Sequence, residues 1–431
     1  INAAAVQWKV QAAECKASAG VVEHAAGQRA TFGELAALAA QQPPPGKVPL
    51  KAPAEFKLIG KPLTRIEAPS KLDGTAVFGI DARPPGLLYA SVVMCPTRGG
   101  KVAQFDGAAA QMMPGVKQVL AVAPYHGGTG GVAVIADTPW HAKKAAAAVT
   151  VQWDHGPAAT LSSAAVMTQL TQALDQTQGF GYYSVGDVDK ALQGAATTLT
   201  ADYRAPYLAH TTMEPINCTV QFKDGTASVW TSTQVPGLAR MAAAKALGID
   251  EDKVTVHQLL LGGGFGRRLE VDYVAQAAAI AKAAGGAPVQ TLWSREQDTQ
   301  HDFYRPACVA RFKAGLDAQG QLVAWHNVSA GQAIVPQVLA RTFGLPGAWP
   351  DKTASEGAFD QPYEWPHAHI AHEIIDLPLP VGFWRSVGHS HQAFFKESFV
   401  DEAAHAAKKD PVAFRAALLQ KHPRHLKVLQ K

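Results

Sequence analysis

Between Leu87 and Asp154 the apolar positions fall in short runs, Leu87–Val93, Val116–Val122 and Gly131–Ile135, separated by Gly and Pro. Runs of this length, rich in Val and Ile and bounded by turn residues, predict strands. Ala76–Ile80 reads the same way. At Thr138–Ala148 the pattern becomes helical, then returns to a strand at Val149–Trp153, and a helix is expected at Leu161–Thr177. Residues 61–180 therefore read as a small domain that mixes strands and helices.

From 181 to 431 the elements lengthen into a second, larger domain. Strands are expected at Thr197–Tyr203, Thr219–Thr231, Val254–Leu261 and Val289–Ser294, with helices at Pro236–Leu247 and Val271–Ala284. Further strands at Val309–Leu316, Leu322–Ser329 and Ala368–Leu377 precede a helix at Ser390–Ala407. Ahead of both domains, residues 1–60 read as a helical lead-in and a linker. Thr31 with Glu34 makes a capping-box signal for a helix over Thr31–Ala40, and the five prolines of Gln41–Pro53 exclude a helix or central strand. The fold class is thus α+β or mixed α/β.

Composition narrows the functions. With 47% hydrophobic and 17% charged positions over 431 residues, the chain can bury sizeable cores. The net charge of +4 is spread along the chain, which gives no basic patch for nucleic acid. No apolar run reaches the roughly 18 residues that a bilayer requires. Cys15, Cys95, Cys218 and Cys308 stand far apart with no C-x-x-C pair, so the chain lacks the ligand spacing of an iron–sulfur cluster or zinc ribbon and they read as buried small side chains.

The chemistry concentrates at Gly262-Gly263-Gly264-Phe265-Gly266-Arg267-Arg268, between an expected strand and an expected helix. Four glycines in five positions imply positive φ or close approach of the backbone to something. The dinucleotide pattern G-x-G-x-x-G fails, since its third glycine falls on Arg267 or Leu269, and no Walker loop is present. What remains is an exposed turn with an aromatic tip, or a purely structural one.

That turn resembles the G-G-G-F-G signature of the xanthine dehydrogenase family of molybdenum hydroxylases, and with Arg267-Arg268 it is more similar to the isoquinoline 1-oxidoreductase branch. Arg65–Ala76 resembles the opening of the family's a/b hammerhead domain, and His210-Thr211-Thr212-Met213-Glu214-Pro215 its H-x-x-M-E-P stretch. Trp230–Gln234 resembles the turn that brings a glutamine to the metal's apical oxygen. Gly382–His389 resembles the element whose arginine meets the cofactor.

The resemblance implies a hammerhead domain followed by a molybdopterin-binding domain. Gly263, Gly264, Phe265, Gly266, Arg268, Trp384, Arg385 and Ser386 would bind the cofactor, and Gln234 would serve both the cofactor and catalysis. It implies molybdenum held by molybdopterin cytosine dinucleotide, hydroxylation of an N-heteroaromatic or oxidation of an aldehyde, and water as the oxygen source. The electrons would leave through a small [2Fe-2S] subunit, with a c-type cytochrome as a further acceptor, since this chain has no cluster motif of its own. Export to the periplasm is typical of this branch, and the cytoplasm is the alternative. The family's catalytic glutamate lies in a G-E-P segment that does not occur here, so flanking sequence is expected beyond Ile1 and Lys431. Leu269 stands where purine oxidisers carry a glutamate, which disfavours purines. Two other readings stay open: a cofactor-free scaffold of the same fold, and a zinc hydrolase built on His367, His369, His372 and Glu373. Glu214 and Asp298 are acid–base candidates only by being acidic.

Overall fold

The computed structural model describes residues 1–48, 50–347 and 350–431. It divides into Ile1–Gly74 and Thr75–Lys431. In the first unit the Thr31 capping box forms as expected, with the Thr31 hydroxyl accepting from the Glu34 N–H at the head of helix Phe32–Ala39. The helical lead-in is corrected in its middle. Cys15–Ser18, Val21–His24 and Arg29–Thr31 make a three-stranded antiparallel sheet, because Cys15, Val22 and Ala30 alternate into a small core that the alanine-rich composition disguised. Pro49, within the expected linker, lies outside the described residues.

The second unit is built on two mixed sheets. Seven strands run in the order Val254–Gln258, Thr226–Thr231, Asn217–Lys223, Val289–Leu292, Leu88–Met94, Gly131–Ala136 and Val116–Val122. Strands of the expected 61–180 and 181–431 domains thus share one sheet, joined where Val289–Leu292 pairs in parallel with Leu88–Met94. All six residues of Gly131–Ala136 are buried, as suits an interior strand covered on both faces. Helices Pro236–Leu247 and Asp272–Lys282 pack against this sheet and each other; their alanines allow close approach. Pro236 opens the first of these and Gly248, at φ 75°, ends it.

The second sheet orders Thr197–Ala205, Cys308–Leu316, Leu322–Gly331, Ala368–Ile374 and Phe180–Val185, with helix His389–Ala406 against it. Its core centres on Trp325, stacked on Trp365 at 4.3 Å, with Phe312, Phe395 and Phe399.

Three expected strands change form for local reasons. Thr219–Thr231 is a hairpin, because Asp224 and Gly225 take φ 51° and 75° and turn the chain. Ala76–Ile80 is not a strand: the N–H groups of Gly79 and Ile80 bond to the Ser232 hydroxyl and the Glu214 carboxylate. The strand from Val254 stops at Gln258, short of Leu261. The four cysteines are free and buried, and burial pushes the Cys218 and Cys308 thiols up to about 12.

Two buried histidines join the second sheet to its helix. His372 Nδ1 lies 2.8 Å from the Ser329 hydroxyl, which also accepts from the Gln392 amide. Burial lowers His372 to about 4 and His391 to about 3. An unfolded histidine titrates near 6.5. Below that pH the unfolded chain takes up two protons that the folded chain refuses, so stability falls with acidification from about 6.5 and levels off only below the two folded values. Each group contributes a slope of up to about 1.4 kcal/mol per pH unit. His391→Gln is expected to remove about one proton from that slope in denaturant titrations between pH 4.5 and 7; an unchanged slope would show that His391 charges freely in the folded state.

Candidate functional site

Thr226–Thr231 and Val254–Gln258 are parallel neighbours, so the loops leaving them, 232–235 and 259–266, emerge at the same end of the sheet. Asn217–Lys223 is antiparallel to Thr226–Thr231, which places the loop before it, 206–216, at that end too. The sequence motifs converge there because of strand direction.

Glu214 organises this convergence. One carboxylate oxygen accepts from Ile80 N–H and the Asn217 amide at 2.9 and 3.0 Å; the other accepts from Gly262 N–H and Arg268 at 2.9 and 3.0 Å. Arg268 is fully buried. Its Nε donates to the Gly263 carbonyl, one terminal nitrogen to Ser232, and the other to Glu214. This corrects the expectation that Arg268 contacts a cofactor: all three nitrogens are bonded inside the protein, so it holds the glycine turn from behind.

The turn itself leaves donors free. Among the described residues the N–H groups of Gly263, Gly264 and Phe265 have no partner, whereas Gly262 N–H bonds to Glu214 and Gly266 N–H to Gln234 Oε1 at 3.2 Å. That last bond fixes the Gln234 amide with its oxygen toward the turn, and leaves its NH2 to donate elsewhere. Side chains are excluded on both sides. A Cβ on Gly264 would lie 2.7 Å from Gln234 Oε1, and one on Gly266, at φ 116°, would lie 1.8 Å from the Phe383 carbonyl oxygen.

The loop 382–387 closes against this turn. Arg385 N–H donates to the Phe265 carbonyl at 2.6 Å, and His210 Nε2 lies 2.8 Å from the Phe383 carbonyl. The His210 ring sits beside Trp384, at 4.8 Å between centroids, and its Nδ1 lies 2.9 Å from Asp302. Burial opposes the Asp302 charge, but the His210 hydrogen bond and the charges of His210 and Arg267 outweigh it and hold the carboxyl below its usual range. Arg267, equally buried, makes a two-pronged pair with Asp272 at 2.9 Å. Thr211, Phe265, Ser386 and Val387 all take positive φ, between 46° and 68°. Backbone strain in Phe and in β-branched residues persists only where the surroundings enforce it, and three such residues, with Ser386, gather on three touching loops.

The structure therefore brings together Gly263, Gly264, Phe265, Gly266, Gln234, Trp384, Arg385 and Ser386, with Gln234, Phe265, Arg385 and Ser386 exposed. Sequence reasoning missed His210, Arg267 and Asp302 as supports and gave Glu214 no structural task. The only signal was the H-x-x-M-E-P pattern, whose His and Glu prove to be the buried contacts. Asp298 is buried against Arg295, and burial raises its carboxyl above the ordinary range.

The histidine cluster does not converge. His367 Nδ1 accepts from Asp187 N–H, His369 meets Ser184, and His372 is buried against Ser329. Among the described residues no group of three or more His, Cys, Asp or Glu is placed to hold a metal, and no helix is long and apolar enough to cross a membrane.

The model of the molybdopterin cofactor-binding domain matches residues 173–418, more than half of the chain. The chain belongs to this molybdopterin cofactor-binding family. It is 33% identical over 423 residues to the membrane-bound aldehyde dehydrogenase [pyrroloquinoline-quinone] of Gluconacetobacter polyoxogenes, covering 94% of this chain and 54% of that one. It is 29% identical to isoquinoline 1-oxidoreductase subunit beta of Brevundimonas diminuta, covering 100% of this chain and 60% of the relative. The chain thus spans little more than half the length of these curated relatives. Among solved structures, the aldehyde oxidoreductase from Desulfovibrio desulfuricans ATCC 27774 superimposes with a TM-score of 0.66 at 19% identity, over 86% of this chain and 44% of that one. Quinoline 2-oxidoreductase from Pseudomonas putida 86 gives 0.64 at 19% identity, over 82% and 49%. These matches bear out the resemblance to the xanthine dehydrogenase family and the mixed α/β fold.

Proposed function

We propose that this chain forms one wall of the cofactor site in a molybdenum-dependent oxidoreductase that oxidises an aldehyde or hydroxylates an N-heteroaromatic ring. The observation that carries this reading is the run of three unbonded N–H groups at Gly263, Gly264 and Phe265, beside the free NH2 of Gln234. Gly264 is buried and Gly263 half-buried, and donors left without partners at such positions are rare; with the N–H of exposed Phe265 beside them, they fit a pterin rich in ring acceptors and phosphates. Arg385, exposed at the edge of the same surface, suits a pyrophosphate. When bound, the molybdenum group supplies a two-electron redox centre at which oxygen from water reaches carbon.

The chain's own residues orient and pre-form this surface. Glu214 and Arg268 hold the glycine turn, His210 and Asp302 hold Phe383 against it, and Gln234 offers a neutral donor that adds no charge beside the metal. Cytosine as the nucleotide of the pterin, a [2Fe-2S] subunit with a c-type cytochrome as electron acceptors, and a periplasmic location belong to the same proposal; the subunit naming of the isoquinoline-oxidising relative and the absence of a cluster motif here support the first partner.

Purification from the native host with its accompanying subunits, followed by metal and nucleotide analysis, tests the reading. About one molybdenum per chain and release of a cytosine nucleotide are expected. An intact complex without molybdenum would overturn the proposal and leave a cofactor-free scaffold.

A further inference from the structure

A separate cleft of about 510 Å³ opens beside the segment that follows Asp302. Leu161, Val166 and Leu379 contribute apolar wall, and Arg98, Ser163 and Tyr304 are among the groups that contribute polar surface; among the described residues no acidic side chain lines it. Nothing in the cofactor reading uses this cleft. The Tyr304 carbonyl does accept from Gly382 N–H, which sets the cleft directly behind the loop that carries Trp384 and Arg385.

Arg98 is the unusual group. It is only 6% exposed, yet among the described residues no carboxylate lies within ion-pair distance of it. One terminal nitrogen donates to Thr129 at 2.6 Å and the other makes a long contact with the Gly127 carbonyl at 3.5 Å, while Nε has no partner among the described residues. Its guanidinium lies over the Phe303 ring at 4.8 Å. The nearest carboxylates are already taken: Asp272 by Arg267, and Asp302 by His210 and Arg267. Burial lowers Arg98 to about 10, and the Tyr304 hydroxyl is near enough to feel its charge. An unpaired cation held out of water is costly unless something negative comes to it.

The same cleft receives the start of a 14-residue helix, Ser163–Gln176. Its cap, Ser162, accepts from Ala165 N–H, but the N–H groups of Ser163 and Ala164 have no partner among the described residues, and its first turn has no acidic residue. Two sources of positive potential that share no residues, a buried guanidinium and a helix N-terminus, thus meet at one apolar-walled cleft.

We propose that this cleft binds a small organic carboxylate, with the carboxyl group between Arg98 and the N-terminus of helix Ser163–Gln176 and the hydrocarbon body against Leu161, Val166 and Leu379. A carboxylate fits better than a phosphate. One guanidinium and one helix terminus balance a single negative charge, and the two tyrosine hydroxyls in the wall already donate within the protein, Tyr207 to Gln332 and Tyr304 to the carbonyls of Thr299 and Gln300.

Calorimetric titration of the full chain with sodium benzoate, and separately with inorganic phosphate, tests this. Benzoate is expected to bind saturably and more tightly than phosphate. Arg98→Gln and Ser163→Asp should each weaken benzoate at least about tenfold, the loss of one charge-assisted contact. Ser163→Asp distinguishes binding from misfolding, because a carboxylate in the first turn favours the helix while repelling an anion; its melting temperature should be unchanged or higher. Absence of saturable benzoate binding, equal affinity in Ser163→Asp, or a preference for phosphate would each overturn the proposal. None of these outcomes depends on molybdenum, so the two proposals fail separately.

Discussion

Replacing Glu214 with alanine is expected to lower the unfolding free energy by about 3–5 kcal/mol, the range for leaving one member of a buried ion pair without its partner. The carboxylate accepts four hydrogen bonds, from Ile80, Asn217, Gly262 and Arg268. Its removal strands a fully buried guanidinium and two backbone donors together. Arg268→Met alone should cost a similar amount, because it leaves the carboxylate buried instead. The double variant Glu214→Leu with Arg268→Met should cost clearly less than the sum, since neither charge is then left behind. Denaturant midpoints of the four proteins decide this. If Glu214→Ala lost less than about 1 kcal/mol, water would have to reach Arg268, and the turn would not be held as described.

Gly266→Ala is expected to have the largest effect on the candidate site. The added Cβ would sit 1.8 Å from the Phe383 carbonyl oxygen and 2.7 Å from its carbon, on a backbone at φ 116° that side chains rarely adopt. Backbone atoms cannot swing aside as a side chain end can, so the loop 382–387 must leave the glycine turn. That breaks the Arg385–Phe265 and His210–Phe383 contacts, a local cost of at least ~3 kcal/mol from strain and overpacking. Limited proteolysis should then cut near residues 383–387 in the variant and not in the parent. Molybdenum content of the purified complex should fall about tenfold or more, matching ~1.4 kcal/mol or more of lost binding. Gly237→Ala, at a helical position where a Cβ meets nothing within 4 Å, is the control and should be neutral or slightly stabilising. Full molybdenum and unchanged proteolysis in Gly266→Ala would show that the two loops need not touch.

Much of this was legible in the chain. Strands Val116–Val122 and Gly131–Ala136 and helix Pro236–Leu247 were readable because their patterns are local: a run of β-branched residues, or a proline and a glycine bracketing a helical repeat. Cys15–Ser18 and Phe180–Val185 were not, since a short edge strand exists only through its partner's hydrogen bonds. Ala76–Ile80 misled because its backbone donors bond to Ser232 and Glu214, more than a hundred residues away.

The site divides along the same line. Which segments matter, and that the glycines of 262–266 serve either positive φ or a close approach, followed from residue identity and order, because few other residues tolerate such a backbone. The tertiary structure decided how the segments meet: parallel pairing of Thr226–Thr231 with Val254–Gln258 brings Gln234 to the turn, and the Phe383 carbonyl makes Gly266 indispensable. It also assigned the arginines. Arg268 and Arg385 look alike in sequence, but one is sealed behind the turn by Glu214 and the other stands exposed beside it, and burial is a property of the surroundings that no residue carries in its own name.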